Sequence, residues 1–178
     1  MVRKLRINED YNEGVYVYTG GKAPKDVVNV VVENGVTHID RDAFRYCQNL
    51  TNITIPNSIT SIWGYAFSYC SSLTSITIPN SITSIGKWAF YDCLSLTSIT
   101  IPDSVTSIGD SAFYGCRSLT SITIHKGVRQ IYKDIFKYCN DLTVYTDSKY
   151  VIRYCEKYGI SVEPLSAKTE SINRRYYK

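Results

Sequence analysis

The six cysteines and two histidines are the side chains of this chain best suited to covalent, metal or acid–base chemistry. Five of the cysteines recur at every 23rd position: Cys47, Cys70, Cys93, Cys116 and Cys139. If successive repeats stack, neighbouring Cα atoms of this column lie about 5 Å apart, which is within the disulfide range. Their Cβ vectors would run parallel, however, and a straight column cannot supply the converging tetrahedral ligands that zinc needs. We therefore predict buried free thiols that pack as small apolar side chains, and no metal site. Free thiols are typical of a reducing compartment.

Catalysis is not predicted for this chain. A nucleophile needs a base within hydrogen-bond reach and a third group that orients the base. His38 and His125 belong to different repeats, and the many serines and threonines of the central repeats have no carboxylate partner in a fixed pattern. The glycines do not have the spacing of a phosphate-binding loop. We therefore predict a protein that is not an enzyme and needs no cofactor.

The column of cysteines belongs to a longer repeat, which is seen most clearly from Ile82 to Ser104 as ITSIGKWAFYDCLSLTSITIPDS. Isoleucine, phenylalanine and leucine recur at the same 23-residue offset, and pairs such as Ile76 and Ile78 alternate with polar residues, as in a half-buried strand. One such unit cannot bury its own apolar side chains, so the units must stack on one another. Proline follows three of these strands, at Pro56, Pro79 and Pro102, where it lacks a donor and marks the strand exit. The pattern predicts a solenoid in which each column forms a continuous internal ladder.

The consensus Ile-x-x-x-Ala-Phe-x-x-Cys-x-x-Leu-x-x-Ile-x-Ile-Pro closely resembles the BspA-type, or treponemal-type, leucine-rich repeat family over roughly residues 27 to 145. The resemblance implies an α/β repeat solenoid that is right-handed and curved. Its parallel sheet would lie on the concave side, with short helical or irregular segments on the convex side and a cap at each end. It also implies a role in adhesion or protein binding without catalysis.

A single domain is expected over residues 1–178. We divide it into an N-terminal cap and half-repeat (1–35), five 23-residue repeats (36–145), a C-terminal cap (146–163) and a basic tail (164–178). The tail is expected to be either disordered or a helix laid against the last turn.

The C-terminal cap is predicted to be a helix followed by a short strand. Asp147 falls where the repeat places a buried isoleucine, so the ladder should stop there. Thr146 or Asp147 is a suitable N-cap and Gly159 a suitable C-cap. Between them, apolar residues follow at helical spacing, and the closing strand is expected next: Val151, Tyr154, Cys155 and Tyr158, then Ile160-Ser161-Val162.

The charge distribution argues against a nucleic-acid ligand. The chain carries a net charge of +4, but residues 59–124 hold only 2 basic and 3 acidic side chains, whereas residues 125–178 hold 11 and 6. A nucleic-acid reader would line its main surface with Lys and Arg. No apolar run reaches the roughly 18 residues that a membrane span needs, and the first residues do not resemble a secretory signal. We expect a cytoplasmic protein, or a cell-surface protein if the chain is a fragment of a secreted one.

Two surfaces could bind a protein partner. The first is the outward face of the predicted concave sheet, where small hydroxyl side chains and one histidine recur in columns: Asn52, Thr54, Ser75, Thr77, Ser98, Thr100, Ser121, Thr123 and His125. Threonine is also simply a good residue for an exposed strand, and this face lacks the Trp, Tyr and Arg anchors that usually carry binding energy.

The second surface is the arc in which the repeats differ. The second and third copies share 16 of 23 positions, and their differences cluster beside the isoleucine and phenylalanine columns. Variation on a constant frame is where a binding protein would encode specificity. The candidates are Trp63, Tyr65, Trp88, Tyr91 and Tyr114. Tyr65 should contact Trp88 and Tyr91 should contact Tyr114 across adjacent turns, so a purely structural role is the alternative.

The sequence therefore predicts a non-catalytic repeat scaffold that binds a protein of unknown identity. Three alternatives remain open: a structural or self-associating element, a fragment of a surface adhesin, and a regular Ser-x-Thr lattice that faces ice or a crystal.

Overall fold

The computed structural model describes residues 14–169. Thirteen strands and the helix α1 (Lys149–Tyr158) are found there, together with a short helical segment at residues 165–169. Almost all of the strands lie at one or two positions of the 23-residue repeat. In chain order they are β1 (Val15–Tyr18), β2 (Asn29–Val32), β3 (His38–Ile39), β4 (Asn52–Thr54), β5 (Ser61–Ile62), β6 (Ser75–Thr77), β7 (Ser84–Ile85), β8 (Ser98–Ile101), β9 (Ser107–Ile108), β10 (Ser121–Ile124), β11 (Gln130–Ile131), β12 (Thr143–Tyr145), α1 (Lys149–Tyr158) and β13 (Ser161–Glu163).

The fold is a parallel-strand β-solenoid of about five turns, as the stacking argument predicted. The longer strands form a three-stranded sheet, β1-β2-β4, and a five-stranded sheet, β13-β12-β10-β8-β6. Within the repeats they pair in register, so that Ile76 lies beside Ile99 and Ile99 beside Ile122. We call the outward side chains of β4, β6, β8 and β10 the long-strand face. It contains the columns that the sequence assigned to a concave sheet.

A second sheet, which the sequence did not predict, runs along another side of the solenoid. It consists of two-residue strands in the order β11-β9-β7-β5-β3, and its members pair at the same 23-residue offset. The segments between it and the next longer strand are turns, so irregular structure takes the place of the expected convex helices. Within residues 14–169, helix is confined to α1 and residues 165–169. The class observed is therefore a β-solenoid, with little of the α component that we expected.

The interior of the solenoid is built from the predicted apolar columns. Phe44, Phe67, Phe90 and Phe113 are completely buried, and their rings stack with centroids 5.2 or 5.3 Å apart. The alanine before each phenylalanine in the first four full repeats and the leucine of those repeats are equally inaccessible. Because each side chain lies on its own counterpart in the next turn, burial of one turn depends on the presence of its neighbours.

Two columns in each turn have left-handed backbone conformation. The first contains Asp42, Tyr65, Trp88, Ser111 and Asp134, with φ between 54° and 60°. The second contains Tyr46, Tyr69, Asp92, Gly115 and Tyr138, with φ between 51° and 73°. Only one of these ten residues is glycine, so nine positions carry the steric cost of a side chain at positive φ, about 1–2 kcal/mol each. Stacking between turns must offset that cost.

The last turn shifts its register by one residue, which corrects the expected position of Asp147. Ile122 pairs with Val144, an offset of 22 residues, where the earlier turns have 23. A one-residue shift exchanges the two faces of a strand. Val144 consequently occupies the buried position and Thr146 is buried after it, while Asp147 is exposed. The Oδ1 atom of Asp147 instead accepts a hydrogen bond from the Leu165 amide at 3.2 Å.

The C-terminal cap consists of α1 and β13, with one correction to its boundary. The N-cap is Ser148 and not Thr146 or Asp147; the Thr146 hydroxyl accepts the Ser148 amide. Gly159 is the C-cap with φ 65°, as predicted. Val151 and Cys155 face the core, whereas Tyr158 is exposed, so the apolar face of the helix is narrower than its sequence spacing indicated.

The N-terminal cover is described from residue 14 onward, and the predicted tail only to residue 169. Strand β1 pairs with β2, and the Tyr18 ring packs against Phe44 at 4.9 Å. The Tyr18 hydroxyl donates to Asp40, which fixes this strand over the first complete turn. The predictions for residues 1–13 and 170–178 lie outside the described part of the chain.

Candidate functional site

Five of the predicted binding residues line one groove on the long-strand face. The groove has a volume of about 720 Å³ and is formed where β6 and β8 end, with Ser75, Thr77, Ser98, Thr100 and His125 in its wall. The first four are exposed and His125 is half-buried. Asp103 adds a carboxylate to the wall. Ile76, Ile78, Ile99 and Pro102 also line the wall, so the groove combines apolar side chains with hydroxyl groups, one imidazole and one carboxylate.

The remaining predicted residues of this face do not line the groove. Asn52 and Thr54 are exposed on β4, and the Asn52 amide donates to Oδ1 of Asn29 at 2.9 Å, which makes it part of an inter-turn ladder. Ser121 is half-buried. Thr123 was expected to be exposed, but only 5% of it is accessible.

The burial of Thr123 follows from the register shift and from the segment after β13. The shift places Tyr145 beside Thr123 on the outward face. Lys168 crosses the same place, donates a hydrogen bond to the Thr123 hydroxyl, and lies 5.6 Å from the centre of the Tyr145 ring. The end of the long-strand face is therefore covered by the chain itself, and Thr123 is removed from the candidate surface.

Other threonines of the repeat have a clear structural role. The hydroxyls of Thr60, Thr83 and Thr106 each donate to the carbonyl oxygen 23 residues earlier, at 3.0 to 3.2 Å. These residues lie just before the short strands, outside the candidate surface. A column of threonines can therefore be explained by hydrogen bonds between turns alone. This supports a structural role for the repeated threonines of this chain.

Trp63 is the most exposed of the aromatic candidates and follows β5, in the sheet of two-residue strands. We call the side of the solenoid that carries the five aromatic candidates the aromatic edge: Trp63, Tyr65, Trp88, Tyr91 and Tyr114. Its ring stacks on His38 with centroids 4.1 Å apart and an angle of 9° between the planes. The indole nitrogen donates to Ser61 Oγ, and 45% of the residue remains accessible. His38 is itself held by Asp40, whose carboxylate lies 3.2 Å from Nε2. The tryptophan is thus both fixed in orientation and exposed, as an interface anchor should be.

Tyr65 and Trp88 stack as predicted, with ring centroids 4.6 Å apart. Cations cover both ends of this pair. The guanidinium of Arg45 lies 4.7 Å from the centre of Tyr65, and the ammonium of Lys87 lies 3.6 Å from the centre of Trp88. Lys87 also forms an ion pair with Asp110 at 3.3 Å. Because their faces are already occupied, these two rings offer a partner only their edges.

Tyr91 and Tyr114 also stack as predicted, at 4.9 Å, but they belong to a longer ladder that the sequence reading missed. The ladder runs through every turn with centroids 4.7 to 5.3 Å apart, and its members are Tyr46, Tyr69, Tyr91, Tyr114 and Tyr138. Each repeat contributes one tyrosine from one of two adjacent positions. That alternation was visible in the sequence, but a search confined to single columns does not find it.

The tyrosine ladder changes the acidity of its members. Burial, followed by the charge of Asp92, raises the pKa of Tyr91 to about 12. Burial and the hydrogen bond to Tyr138 raise the pKa of Tyr114. Both hydroxyls are neutral at physiological pH, so the ladder presents hydrogen-bonding phenols and no charge.

The cysteine column consists of free thiols, and each one has a hydrogen-bond partner that the sequence did not reveal. In four repeats the thiol donates to the carbonyl oxygen of the phenylalanine 26 residues earlier, at 3.1 or 3.2 Å. The Cys47 thiol donates to the carbonyl oxygen of Pro24. Burial raises the pKa of Cys93 and Cys116 well above the usual value. These thiols are unreactive structural donors.

Within residues 14–169 no three His, Cys, Asp or Glu side chains come together in a way that could hold a metal ion. No helix in the same range is long and apolar enough to cross a bilayer.

The comparison with protein families gives one match. The sequence profile described as "BspA type Leucine rich repeat region" matches residues 23–149 in six copies. No match to a curated protein is found.

Several solved structures share the fold. The leucine-rich repeat protein of T. pallidum superposes with a TM-score of 0.70 and 27% sequence identity, over 84% of this chain and 78% of that one. The pneumococcal vaccine antigen PcpA superposes with a TM-score of 0.58 and 19% identity, over 86% of this chain but only 40% of that chain. The second likeness concerns the fold alone.

Proposed function

The chain belongs to the BspA-type leucine-rich repeat family, and from that premise we propose that it is a non-catalytic scaffold that binds another protein. The groove of about 720 Å³ on the long-strand face is the observation that carries this proposal. It is the place where side chains of several repeats converge on one concavity. A right-handed, curved array with this face on the concave side is part of the same proposal.

The chemistry of the groove favours a polar polypeptide surface as its ligand. Thr77 and Thr100 supply hydroxyls that can both donate and accept hydrogen bonds. His125 supplies one basic side chain and Asp103 one acidic side chain. Hydrogen bonds to these groups and contact with the apolar side chains of the wall would then both contribute to the affinity. The repeated frame holds these groups at fixed spacing, which lowers the entropy lost on binding.

The aromatic edge would supply the binding energy that the groove lacks. Trp63 is exposed and oriented by its stack on His38. Tyr65, Trp88, Tyr91 and Tyr114 are half-buried between turns, so we assign them mainly to the rigidity of this edge. Trp63 and the groove lie on different faces, so a single partner could contact both only by wrapping around the array.

The test is affinity capture from the native cell followed by direct binding of the captured partner. The double variant Thr77→Lys/Thr100→Lys should weaken binding at least tenfold if the groove is the site, because two long charged side chains would occupy the space that the ligand fills. Gln130→Lys, which adds one positive charge at an exposed position of β11, is the control and should bind normally.

The contribution of the aromatic edge is measured with a matched pair. Trp63 and Tyr132 occupy the same repeat position three turns apart, and 45% of each residue is accessible. Trp63→Ala should weaken the partner's binding, whereas Tyr132→Ala should not. Equal binding by all of these variants would remove both surfaces as the basis of the proposal.

A structural or self-associating element is the second candidate, since a solenoid has two ends at which copies could join. Light scattering over a concentration series separates the candidates, because a mass that stays at one chain contradicts self-association.

A reducing, cytoplasmic location is our proposal for the compartment, and the five thiols held as hydrogen-bond donors to main-chain carbonyls support it. A place at the cell surface is the alternative. Cell fractionation with an antibody to the chain distinguishes the two.

A further inference from the structure

Three rows of backbone hydrogen bonds join each turn of the solenoid to the next. They begin at the residues of the phenylalanine column and of the two left-handed columns. In every case the amide of a residue donates to the carbonyl oxygen 22 residues later, as from Phe67 to Ala89 at 2.7 Å and from Tyr69 to Tyr91 at 2.7 Å. Twelve such bonds, all between 2.7 and 3.2 Å, connect the first four turns to their successors.

The last turn has the same donors but no following turn. Asp134 and Tyr138 keep the left-handed conformation of their columns, with φ of 58° and 66°, and Phe136 lies between them. The three amides therefore have the backbone conformation of their counterparts. Within residues 14–169 none of the three has an acceptor, although each of their counterparts Ser111, Phe113 and Gly115 has one. We call these three donors the end row.

The opposite end of the array is not complementary to the end row. There, the carbonyl of Ala43 accepts the amide of Ala23, and the carbonyl of Arg45 accepts the ammonium of Lys25. Two of the three carbonyls that a second copy would have to offer to the end row are thus already bound. This asymmetry argues against simple head-to-tail stacking of copies.

A groove of about 680 Å³ lies beside the end row and includes all three of its residues in the wall. Helix α1 closes one side, where Tyr154 packs on Phe136 at 6.3 Å. The rings of Tyr138, Tyr154 and Tyr158 line the groove. Asp134 and Asp141 contribute carboxylates to the wall and Lys137 an ammonium; Lys137 lies 4.0 Å from Asp134, so Asp141 is the carboxylate of the wall without an ion pair within residues 14–169.

We propose that this groove binds an extended segment of a partner protein, whose main-chain carbonyls accept the three amides of the end row. The three amides belong to residues of the groove wall and have no acceptor in the described part of the chain, so a main-chain carbonyl that reaches them supplies the hydrogen bond that their counterparts in the earlier turns already make. Carbonyls on one side of an extended chain recur at every second residue, as the donors 134, 136 and 138 do.

The side chain that the groove selects is basic. An ammonium or guanidinium would pair with the carboxylate of Asp141, and the Tyr154 ring, which also lines the groove, would attract the same cation. The Tyr138 and Tyr158 rings already have Lys137 at 5.7 Å and Lys157 at 5.3 Å. This proposal rests on the proposed function, that the chain binds other proteins, but the site is separate from the groove on the long-strand face. The partner's basic segment would continue the solenoid by one strand of backbone.

Amide hydrogen exchange on the full chain tests the first half of the proposal. The amides of Asp134, Phe136 and Tyr138 should exchange at least tenfold faster than those of Ser111, Phe113 and Gly115, because only the latter are hydrogen-bonded between turns. If the amide of Phe136 is as well protected as that of Phe113, the end row is not open and the proposal fails.

Peptide binding tests the second half. The probe is an array of blocked peptides of about seven residues with a central lysine, since three carbonyls on one side of a strand span five residues. Binding should protect the three end-row amides from exchange. Asp141→Lys and Tyr158→Ala should each weaken binding at least tenfold. The controls are Glu156→Lys and Tyr150→Ala, which change exposed residues of α1 that do not line the groove.

Each remaining outcome has a definite meaning. Failure of every peptide to bind more tightly than about 1 mM overturns the proposal. So does binding that survives both groove variants, or protection of the end-row amides that rises with protein concentration alone and would indicate a second copy. The variant Thr77→Lys/Thr100→Lys should bind these peptides normally. Loss of that variant's cellular partner, with peptide binding intact, concerns only the long-strand groove.

Discussion

The thiol sulfur of Cys93 lies 3.1 Å from the carbonyl oxygen of Phe67, which belongs to the preceding turn. This contact connects the two most regular columns of the protein, and it repeats along the array. The amide of Cys70 donates to the same Phe67 carbonyl at 3.1 Å, so the thiol saturates the second lone pair of an oxygen that would otherwise have one partner. Each cysteine thus contributes both a side chain that fills the core and a hydrogen-bond donor.

Replacing this donor should weaken the array. Cys93→Ala removes a completely buried sulfur and its hydrogen bond, and we expect a loss of about 1–3 kcal/mol in the free energy of unfolding. Cys139→Ala should lose less, because Cys139 is partly exposed at the last turn. Urea denaturation measures both variants, and equal losses would contradict the role given to burial.

The column thiols should react only when the protein unfolds. Burial raises the pKa of Cys93 and Cys116 well above the usual value, so the thiolate that attacks a disulfide reagent is almost absent at pH 8. The rate of labelling by a chromogenic disulfide should increase with urea in parallel with the unfolded fraction. Mass spectrometry identifies the labelled residues, and rapid labelling of Cys93 in the native protein would contradict the prediction.

Alkaline pH should destabilise the protein through Tyr91. Its pKa is raised to about 12 in the folded chain, from an unfolded value near 10, so the folded state binds the proton more tightly. The contribution is complete below pH 10 and is lost as the pH rises toward 12. Stability should therefore fall less between pH 9 and 11.5 in Tyr91→Phe than in the original chain. Absorbance at 295 nm follows the ionisation directly, and an equal fall in both chains would refute the assignment.

Gly115 should be intolerant of a side chain because of Asp92. It has φ 73°, and an added Cβ would lie 1.9 Å from Asp92 Oδ1. Gly115→Ala should cost about 1–2 kcal/mol for the left-handed conformation alone, and more while the carboxylate must move. In the background Asp92→Gly the clash is absent, so the same substitution should cost less. A double-mutant cycle measures the difference, and additive effects would show that the contact is unimportant.

Ser68 should be replaceable by alanine without loss. Its hydroxyl is completely buried and has no hydrogen-bond partner among the described residues. An unpaired buried hydroxyl is unfavourable, so Ser68→Ala should leave the free energy of unfolding unchanged or raise it by up to about 1 kcal/mol. Thermal denaturation measures the change. A clear loss of stability would reveal a partner for the hydroxyl.

The ladders of the solenoid could be predicted from the sequence because each of them depends on one repeated residue. Phe90 needs only its counterparts in the adjacent turns in order to stack, and the 23-residue spacing supplies them. The contact between Tyr65 and Trp88 was predictable for the same reason. Regular spacing in the sequence becomes regular spacing in space wherever the turns are identical in length.

Features that depend on two adjacent positions or on a broken repeat could not be derived in this way. The tyrosine ladder moves from the column of Tyr69 to that of Tyr91, so it is not found by following any single repeat position. The burial of Thr123 required knowledge of the register shift at Val144 and of the path of Lys168. Whether the groove or the edge binds a partner depends on chemistry that repetition does not encode.

The left-handed columns have a consequence for how this protein folds. An isolated turn would have to hold residues such as Tyr65 and Tyr69 in an unfavourable backbone conformation before any neighbour existed to stack on them. The first pair of turns should therefore form slowly, as a nucleus does, and every later turn should add quickly to a template already present. We therefore expect formation of the first pair of turns to limit the folding rate. That rate should be nearly independent of the number of turns that follow.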